Sequence, residues 1–401
     1  MVTERMDSVR SVAVGYWVGV GSRDEPADLS GASHFLEHLL FKGTATRSSA
    51  EIAEAVDEVG GDLNAFTTRE YTAFEVRLLS DHLDLGLDLL ADIFWSPAFR
   101  PAEVETERDV ILEEILLAQD EPSDLVHDLL AEALFPDHPL GRSILGTEDT
   151  IEAMARDDIA AFHATNYLPG SVVVAAAGDL DHDAIVDGVA SRMTDRDGAA
   201  AVARTPPTAA RSSTCDAPLV VERDVEQAHV ALGLPALDRG DPDRYALEML
   251  VQTLGGGLSS RLFQEVRERR GLAYNVFASR VGYEGAGALS LYAGTAAKNV
   301  AAVLDVFREQ LDALATSGIT ARELAVAQGH VRASILLGLE DSGARMARLA
   351  RSQLVHGEVP AIDDVLERFA AVTVDDVRRV AARLLQGVEP ALAIIGPSAV
   401  S

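Results

Sequence analysis

A single cysteine, Cys215, is all the thiol chemistry that 401 residues carry. It can form neither an intramolecular disulfide nor a thiolate zinc cluster, which fits a reducing compartment and leaves any metal site to histidines and carboxylates. Net positive charge is missing as well: 34 Lys and Arg stand against 64 Asp and Glu, a balance of −30. Long-range repulsion then disfavours nucleic acid and anionic lipid headgroups as nonspecific partners. No run approaches the ~18 consecutive apolar residues of a membrane span, and Met1 to Arg10 lacks the apolar segment of a secretion signal. The expectation is a cytoplasmic protein with neither a nucleic-acid nor a membrane partner. What is present, 48% hydrophobic and 24% charged residues, is enough apolar surface to fold a globular chain. The length suits two cores of roughly 200 residues better than one.

The pattern along the chain mixes both periods. Val9–Val20, Asp62–Thr68, Ala73–Leu79 and Val172–Ala177 read as strands; Gly31–Phe41, His82–Trp95, Pro101–Ala118 and Ile151–Asn166 carry helical spacing. The stretch Thr194–Asp216, with three successive alanines, Pro206-Pro207 and almost no large apolar residue, reads as a linker. The halves on either side resemble each other. Asp157-Asp158-Ile159 before Gly178 returns 218 residues later as Asp375-Asp376-Val377 before Gly396. His34–Leu39 lines up with Tyr245–Leu250, 211 residues on, and Glu103–Leu116 with Glu323–Leu336, 220 residues on. The expected architecture is α+β, two tandem homologous α/β-sandwich domains, with 1–195 as the metal-binding catalytic domain, 196–216 as linker and 217–401 as its copy without metal. The second copy opens on a strand near Leu219–Arg223 whose counterpart is Val2–Arg5, so the chain starts inside an expected strand. Either the start codon is misassigned or this copy tolerates a clipped edge.

The sharpest local signal is His34-Phe-Leu-Glu37-His38. On a helix, positions i and i+4 share a face, so both imidazoles can reach one ion while Glu37 projects toward a water on that ion. The competing reading is a histidine pair satisfied on a partly buried helix. A catalytic zinc takes three protein ligands and keeps an open position, and with two histidines placed a carboxylate is the natural third. The helix with Glu103, Glu105, Glu107, Glu113 and Glu114 is dense in candidates, though such a charged helix is usually a solvated face. The internal copy lifts it. Opposite His34, His38, Glu107 and Glu114 the second half carries Tyr245, Met249, Ala327 and Ser334, whereas Glu37 keeps Glu248 as partner. One active and one retired copy would differ in this concerted way.

His34-Phe-Leu-Glu37-His38-Leu-Leu-Phe-Lys-Gly-Thr, followed by Val110-Ile-Leu-Glu-Glu114-Ile, resembles the pitrilysin (M16) family of zinc metallopeptidases, in its short-chain branch similar to mitochondrial processing peptidase. The resemblance spans nearly the whole chain and implies that fold. In the family the third ligand is a Glu 76 residues after the second His, with another acid seven residues before it; Glu114 and Glu107 match. The resemblance thus implies His34, His38 and Glu114 as Zn²⁺ ligands, Glu37 as general base and Glu107 as an acid that holds a ligand in place, with Glu113 as fallback ligand. Asn64-Ala65-Phe66 resembles the strand edge that pairs with bound peptide, and Arg267 with Tyr274 the pair that the second domain supplies to substrate. On composition alone, Arg267 reads as a solvated helix charge and Tyr274 as a strand aromatic. Gly255-Gly256-Gly257 lacks the Lys-Ser/Thr of a phosphate cradle and reads as a flexible loop at the chamber entrance; His138 reads as a structural turn residue.

The implied activity is zinc-dependent endopeptidase cleavage of extended peptides or unfolded protein segments inside a chamber. The rival is a noncatalytic scaffold or partner subunit of an M16-type complex. Two copies make half of the four-domain chamber of long-chain members, which implies a homodimer, or a heterodimer with an inactive paralogue. A chain ended near Met193 is expected to keep the metal and lose most of its activity.

Overall fold

Ten strands form two five-stranded mixed sheets in a computed structural model that describes residues 1–194, 198 and 218–397. The expected linker lies almost wholly outside the described residues. The first sheet contains β1 (Val2–Arg5), β2 (Ser11–Val18), β3 (Asp62–Thr67), β4 (Thr72–Leu79) and β5 (Val172–Gly178) in the order β1-β5-β2-β4-β3. The second contains β6 (Leu219–Glu222), β7 (Ala228–Pro235), β8 (Ala273–Tyr283), β9 (Ala286–Thr295) and β10 (Ala391–Gly396) in the order β6-β10-β7-β9-β8. The two orders are the same permutation. In each, the first strand pairs parallel with the last and every other pairing is antiparallel. The duplication seen in short sequence matches is therefore a duplication of topology.

The expected elements appear with small shifts at their ends, and one divides. Ile151–Asn166 is not one helix but two, Glu148–Ala153 and Arg156–Asn166. The break falls at Met154–Ala155, where both backbones are extended and Asp158 accepts from the Ala155 N–H to start the second helix. Among the described residues no helix is long and apolar enough to cross a membrane.

The chain divides into two compact units, and neither is one continuous stretch. The first consists of Met1–Leu116, the described part of 142–204 and Ile335–Pro360; the second of Leu117–Gly141 and the described parts of 205–334 and 361–401. In the first unit, Val12, Val14, Tyr16 and Val18 of β2 face a core with Phe35, Leu36, Leu39, Leu40 and Phe94. Each such side chain contributes about 1.5–3 kcal/mol by leaving water. The opposite sheet face carries small residues, Ala13, Ala73, Ala175 and Ala177 beside Trp17, and on it lies the helix Ser342–His356 through Met346, Leu349 and Ala350. Gly15 permits that approach: a Cβ there would sit 2.8 Å from Met346 Sδ. The second unit repeats the device with the helix Pro122–Leu134, which lies on β6, β7 and β10. There a Cβ on Gly233 would meet Leu134 Cδ1 at 2.8 Å and Leu130 Cδ1 at 2.9 Å. Each sheet is thus covered by a helix encoded in the other half of the sequence, so a chain ended near Met193 would leave the Trp17 face of the first sheet bare.

Candidate metal centre

The helix Ala32–Leu40 presents the histidines, and both its start and its buried face are fixed by residues distant in sequence. Gly31 enters it in the left-handed region, φ 95°, with the backbone of Leu145 so close that a Cβ would lie 2.7 Å from its carbonyl oxygen. No local side chain caps the first turn. Instead the Glu25 carboxylate, 4% exposed, accepts from the N–H groups of Gly31 (2.8 Å) and Ser33 (2.7 Å). Burial pushes the Glu25 carboxyl up to about 7, against the pull of those two donors. Phe35, Leu36, Leu39 and Leu40 fill the core, which leaves His34, Glu37 and His38 on the remaining face.

The third side chain comes from the helix Pro101–Asp120. Val104, Glu107, Ile111 and Ile115 are its buried positions, so Glu107 takes a place where the period asks for an apolar residue. One turn beyond Ile111, Glu114 Oε2 lies 3.5 Å from His34 Nε2 and 3.4 Å from His38 Nε2. The three donor atoms all fall within 4.8 Å of one another. Glu113, the fallback ligand, points to solvent. Burial, with the His38 ring next to it, pushes His34 down to about 4, so His34 is neutral near pH 7 and has a lone pair to give. Its Nδ1 is buried and makes no hydrogen bond among the described residues. Two imidazole nitrogens and one carboxylate oxygen are a catalytic zinc's donor set, three ligands with a position left open, and they fit such an ion.

Around the donors stand two more carboxylates with separate tasks. Glu107, 2% exposed, places Oε2 3.2 Å from His38 Nδ1 and Oε1 2.8 Å from Lys42 Nζ. Glu37 accepts a 2.6 Å hydrogen bond from the Thr67 hydroxyl at the end of β3. Burial raises the Glu37 carboxyl above its ordinary range, and the Thr67 bond and His38 pull it back. Thr67, Lys42 and Glu25 were not singled out by the sequence reasoning. Lys42 lies inside a stretch that carried the family resemblance and Thr67 directly follows another, Asn64-Ala65-Phe66; nothing local marks Glu25.

Asn64, Ala65 and Phe66 lie on β3, the outermost strand of its sheet, which among the described residues pairs only with β4. Ala65 packs on the core under the histidine helix, while Phe66 meets Trp17 edge-on at 5.3 Å on the opposite face. On that face a groove of about 320 Å³ runs between Asn64 and Phe66 and the helix Ser342–His356. Arg267 and Tyr274 belong to the second unit and are brought together: the guanidinium lies 4.0 Å over the Tyr274 ring, and Nη1 donates to the Tyr274 carbonyl at 3.2 Å. Tyr274 is 77% exposed.

The second copy shows what the site has lost. Met249 and Ala327 are buried apolar residues opposite His38 and Glu107. Glu248, opposite Glu37, is engaged by Arg280 Nε at 2.5 Å. The sheet registers say where that arginine stands. Val14 pairs with Val76 and Val76 with Leu63 in the first sheet; Val230 pairs with Ala293 and Ala293 with Val276 in the second. Four residues after Leu63 comes Thr67, and four after Val276 comes Arg280. The same strand position that leaves a hydroxyl on Glu37 thus closes an ion pair on Glu248.

Two smaller readings were also decided. His138 is a turn residue, its Nδ1 accepting from the Leu140 N–H at 3.1 Å. Gly255 is not loop but the last residue of the helix Arg244–Gly255, where a Cβ would come 2.2 Å from the Ala278 backbone nitrogen; it is a close-approach glycine.

Comparison with known proteins points to one family. Residues 1–148 match the family model described as Insulinase (Peptidase family M16), and residues 153–329 the one described as Peptidase M16 inactive domain. An uncharacterized zinc protease of Streptomyces coelicolor is 46% identical over 99% of this chain and 87% of its own length. Others are 45% identical in Mycobacterium tuberculosis, over 99% of this chain and 91% of theirs, and 38% in Bacillus subtilis, over 99% and 96%. Among solved structures, a protease from Helicobacter pylori superposes with a TM-score of 0.90 at 24% identity, covering 98% of this chain and 96% of its own. A peptidase M16 inactive domain from Pseudomonas fluorescens gives 0.89 at 23%, covering 99% and 95%. The chain belongs to the M16 peptidase family.

Proposed function

We propose that the chain is a zinc-dependent endopeptidase acting on extended peptides or unfolded protein segments, with His34, His38 and Glu114 as zinc ligands and Glu37 as general base. The observation that carries it is the convergence of two imidazole Nε2 atoms and one carboxylate oxygen, with a second carboxylate, Glu37, close enough to feel the charges of His38 and Glu114. Zinc supplies Lewis-acid activation of water and of the scissile carbonyl when bound. Glu37 takes the proton from the attacking water and passes it to the leaving nitrogen, and Thr67 holds one Glu37 oxygen so that the other faces the reaction. Glu107 keeps the His38 ring oriented. The outer edge of β3 at Asn64, Ala65 and Phe66 offers backbone groups to an extended peptide, which excludes folded substrates. Arg267 and Tyr274 hold substrate. We further propose a dimer, of two such chains or with an inactive paralogue, that encloses the peptide, in the cytoplasm.

Metal analysis of the purified protein tests the reading. It should show near one zinc per chain, lost on His38→Ala and kept on Glu37→Gln, with peptide hydrolysis in the latter down by several orders of magnitude. Zinc content unchanged by His38→Ala would sink the assignment.

A further inference from the structure

One charged group at the site has no part in the proposed reaction. Lys42 follows the histidine helix Ala32–Leu40 by two positions, and its Nζ is 2.8 Å from Glu107 Oε1. Among the described residues it is the one Lys or Arg in contact with that buried carboxylate. The other carboxylate oxygen faces His38 Nδ1. We infer that Lys42 is a positioning residue for the metal: it compensates and aims the Glu107 carboxylate, which in turn holds the His38 ring with Nε2 turned to the ion. The inference rests on the reading that His34, His38 and Glu114 bind zinc.

A carboxylate withdrawn from water needs a partner for its charge and for its lone pairs. Lys42 provides both on one oxygen. The second oxygen is then available to accept from Nδ1–H of His38, and that hydrogen bond fixes the tautomer whose lone pair sits on Nε2. An internal comparison points the same way. The alignment that sets Tyr245 and Met249 opposite His34 and His38 sets Thr253 opposite Lys42, while Ala327 stands opposite Glu107. The cation and the acid are absent together where the ligands are absent. A lysine that served only the carboxyl end of the helix would have no reason to vanish with the acid.

The test is the zinc dissociation constant of the full chain, measured by competition with a chromogenic chelator. Lys42→Met should weaken zinc about 10- to 100-fold, the usual cost of removing a group behind a ligand, and Lys42→Arg should restore most of it. In a Glu107→Gln background, Lys42→Met should add nothing, because the lysine acts through the acid. The double variant leaves no unpaired charge at this position, so its comparison with Glu107→Gln alone decides the matter even if Lys42→Met folds poorly. Wild-type affinity in Lys42→Met, or a further loss in the double variant, overturns the inference while leaving the zinc assignment intact. A wild-type chain that holds no zinc overturns both.

Discussion

Replacing Thr67 by Val removes one hydroxyl of the same shape and volume, and the hydroxyl it removes is the donor to Glu37. That bond is short, 2.6 Å, and its acceptor is a largely buried carboxylate. Hydrogen bonds to charged groups are worth about 1.5–3 kcal/mol, which corresponds to roughly 10- to 150-fold in rate if the bond holds the base in its working position. Thr67→Val should therefore lower kcat/KM on a peptide substrate by that factor, with zinc content unchanged because the Thr67 hydroxyl bonds to Glu37 and the Ser33 carbonyl and to none of the three ligand side chains. The pH profile should move as well. Burial already raises Glu37, and Thr67 opposes the rise; without the hydroxyl the carboxyl climbs further, so the acidic limb of the rate profile shifts to higher pH. Thr67→Ser should rescue both effects. Thr67→Arg, which copies the pairing of Arg280 with Glu248, should lock the base in an ion pair and abolish activity. Wild-type kcat/KM and an unmoved acidic limb in Thr67→Val would refute the role given to this residue and to the hydrogen bond.

Three further outcomes are expected. Glu114→Gln should release zinc and Glu113→Gln should not, as Glu113 points to solvent; the reverse result by metal analysis would move the third ligand by one residue. In the metal-free protein, His34 resists protonation down to about 4 while an unfolded chain takes the proton at about 6.5. Its contribution to stability is thus fully present above pH 6.5 and is lost as pH falls toward 4, by about 3 kcal/mol. Urea melts of wild type and His34→Gln should converge by that amount across the window, and a pH-independent difference would count against the burial effect. Arg267→Ala and Tyr274→Phe should each lower kcat/KM by about 1–3 kcal/mol at unchanged zinc content, the range for a charge-assisted or buried hydrogen bond to substrate; full activity in both would remove them from the substrate site.

The metal donors were legible because they are a local pattern: i and i+4 on a helix put His34 and His38 on one face whatever the rest of the chain does. Glu114 and Glu107 were not legible that way. A helix with several acids offers no local reason to prefer one, and the choice came from the family spacing and from the internal copy, in which Ala327 and Ser334 stand in their places. No strand order was read from the sequence; the duplication implied only that both halves would share one, as the two sheets do. What escaped was everything carried by contacts distant in sequence. Glu25 caps a helix from six and eight residues upstream, across the short 3-10 turn Ala27–Leu29. Thr67 meets Glu37 across 30 residues. The division of Ile151–Asn166 was missed for a different reason: Met154 and Ile151 continue an apolar rhythm while the backbone between the helices is extended.

The crossed covering helices set a schedule for folding during synthesis. Strand β5, the last of the first sheet, is complete at Gly178, yet the helix that shields Ala13, Trp17, Ala175 and Ala177 ends only at His356. At the ~5–20 residues per second of translation, an apolar sheet face stays uncovered for roughly 10–40 s while the second half is made. The helix Pro122–Leu134 waits in turn for β7 and β10, the latter beginning at Ala391. Neither half reaches its final packing early, and the two are completed almost together, so the nascent chain exposes a binding face for holdase chaperones through most of its synthesis, and a break anywhere between Gly178 and Ser342 would cost both units rather than one.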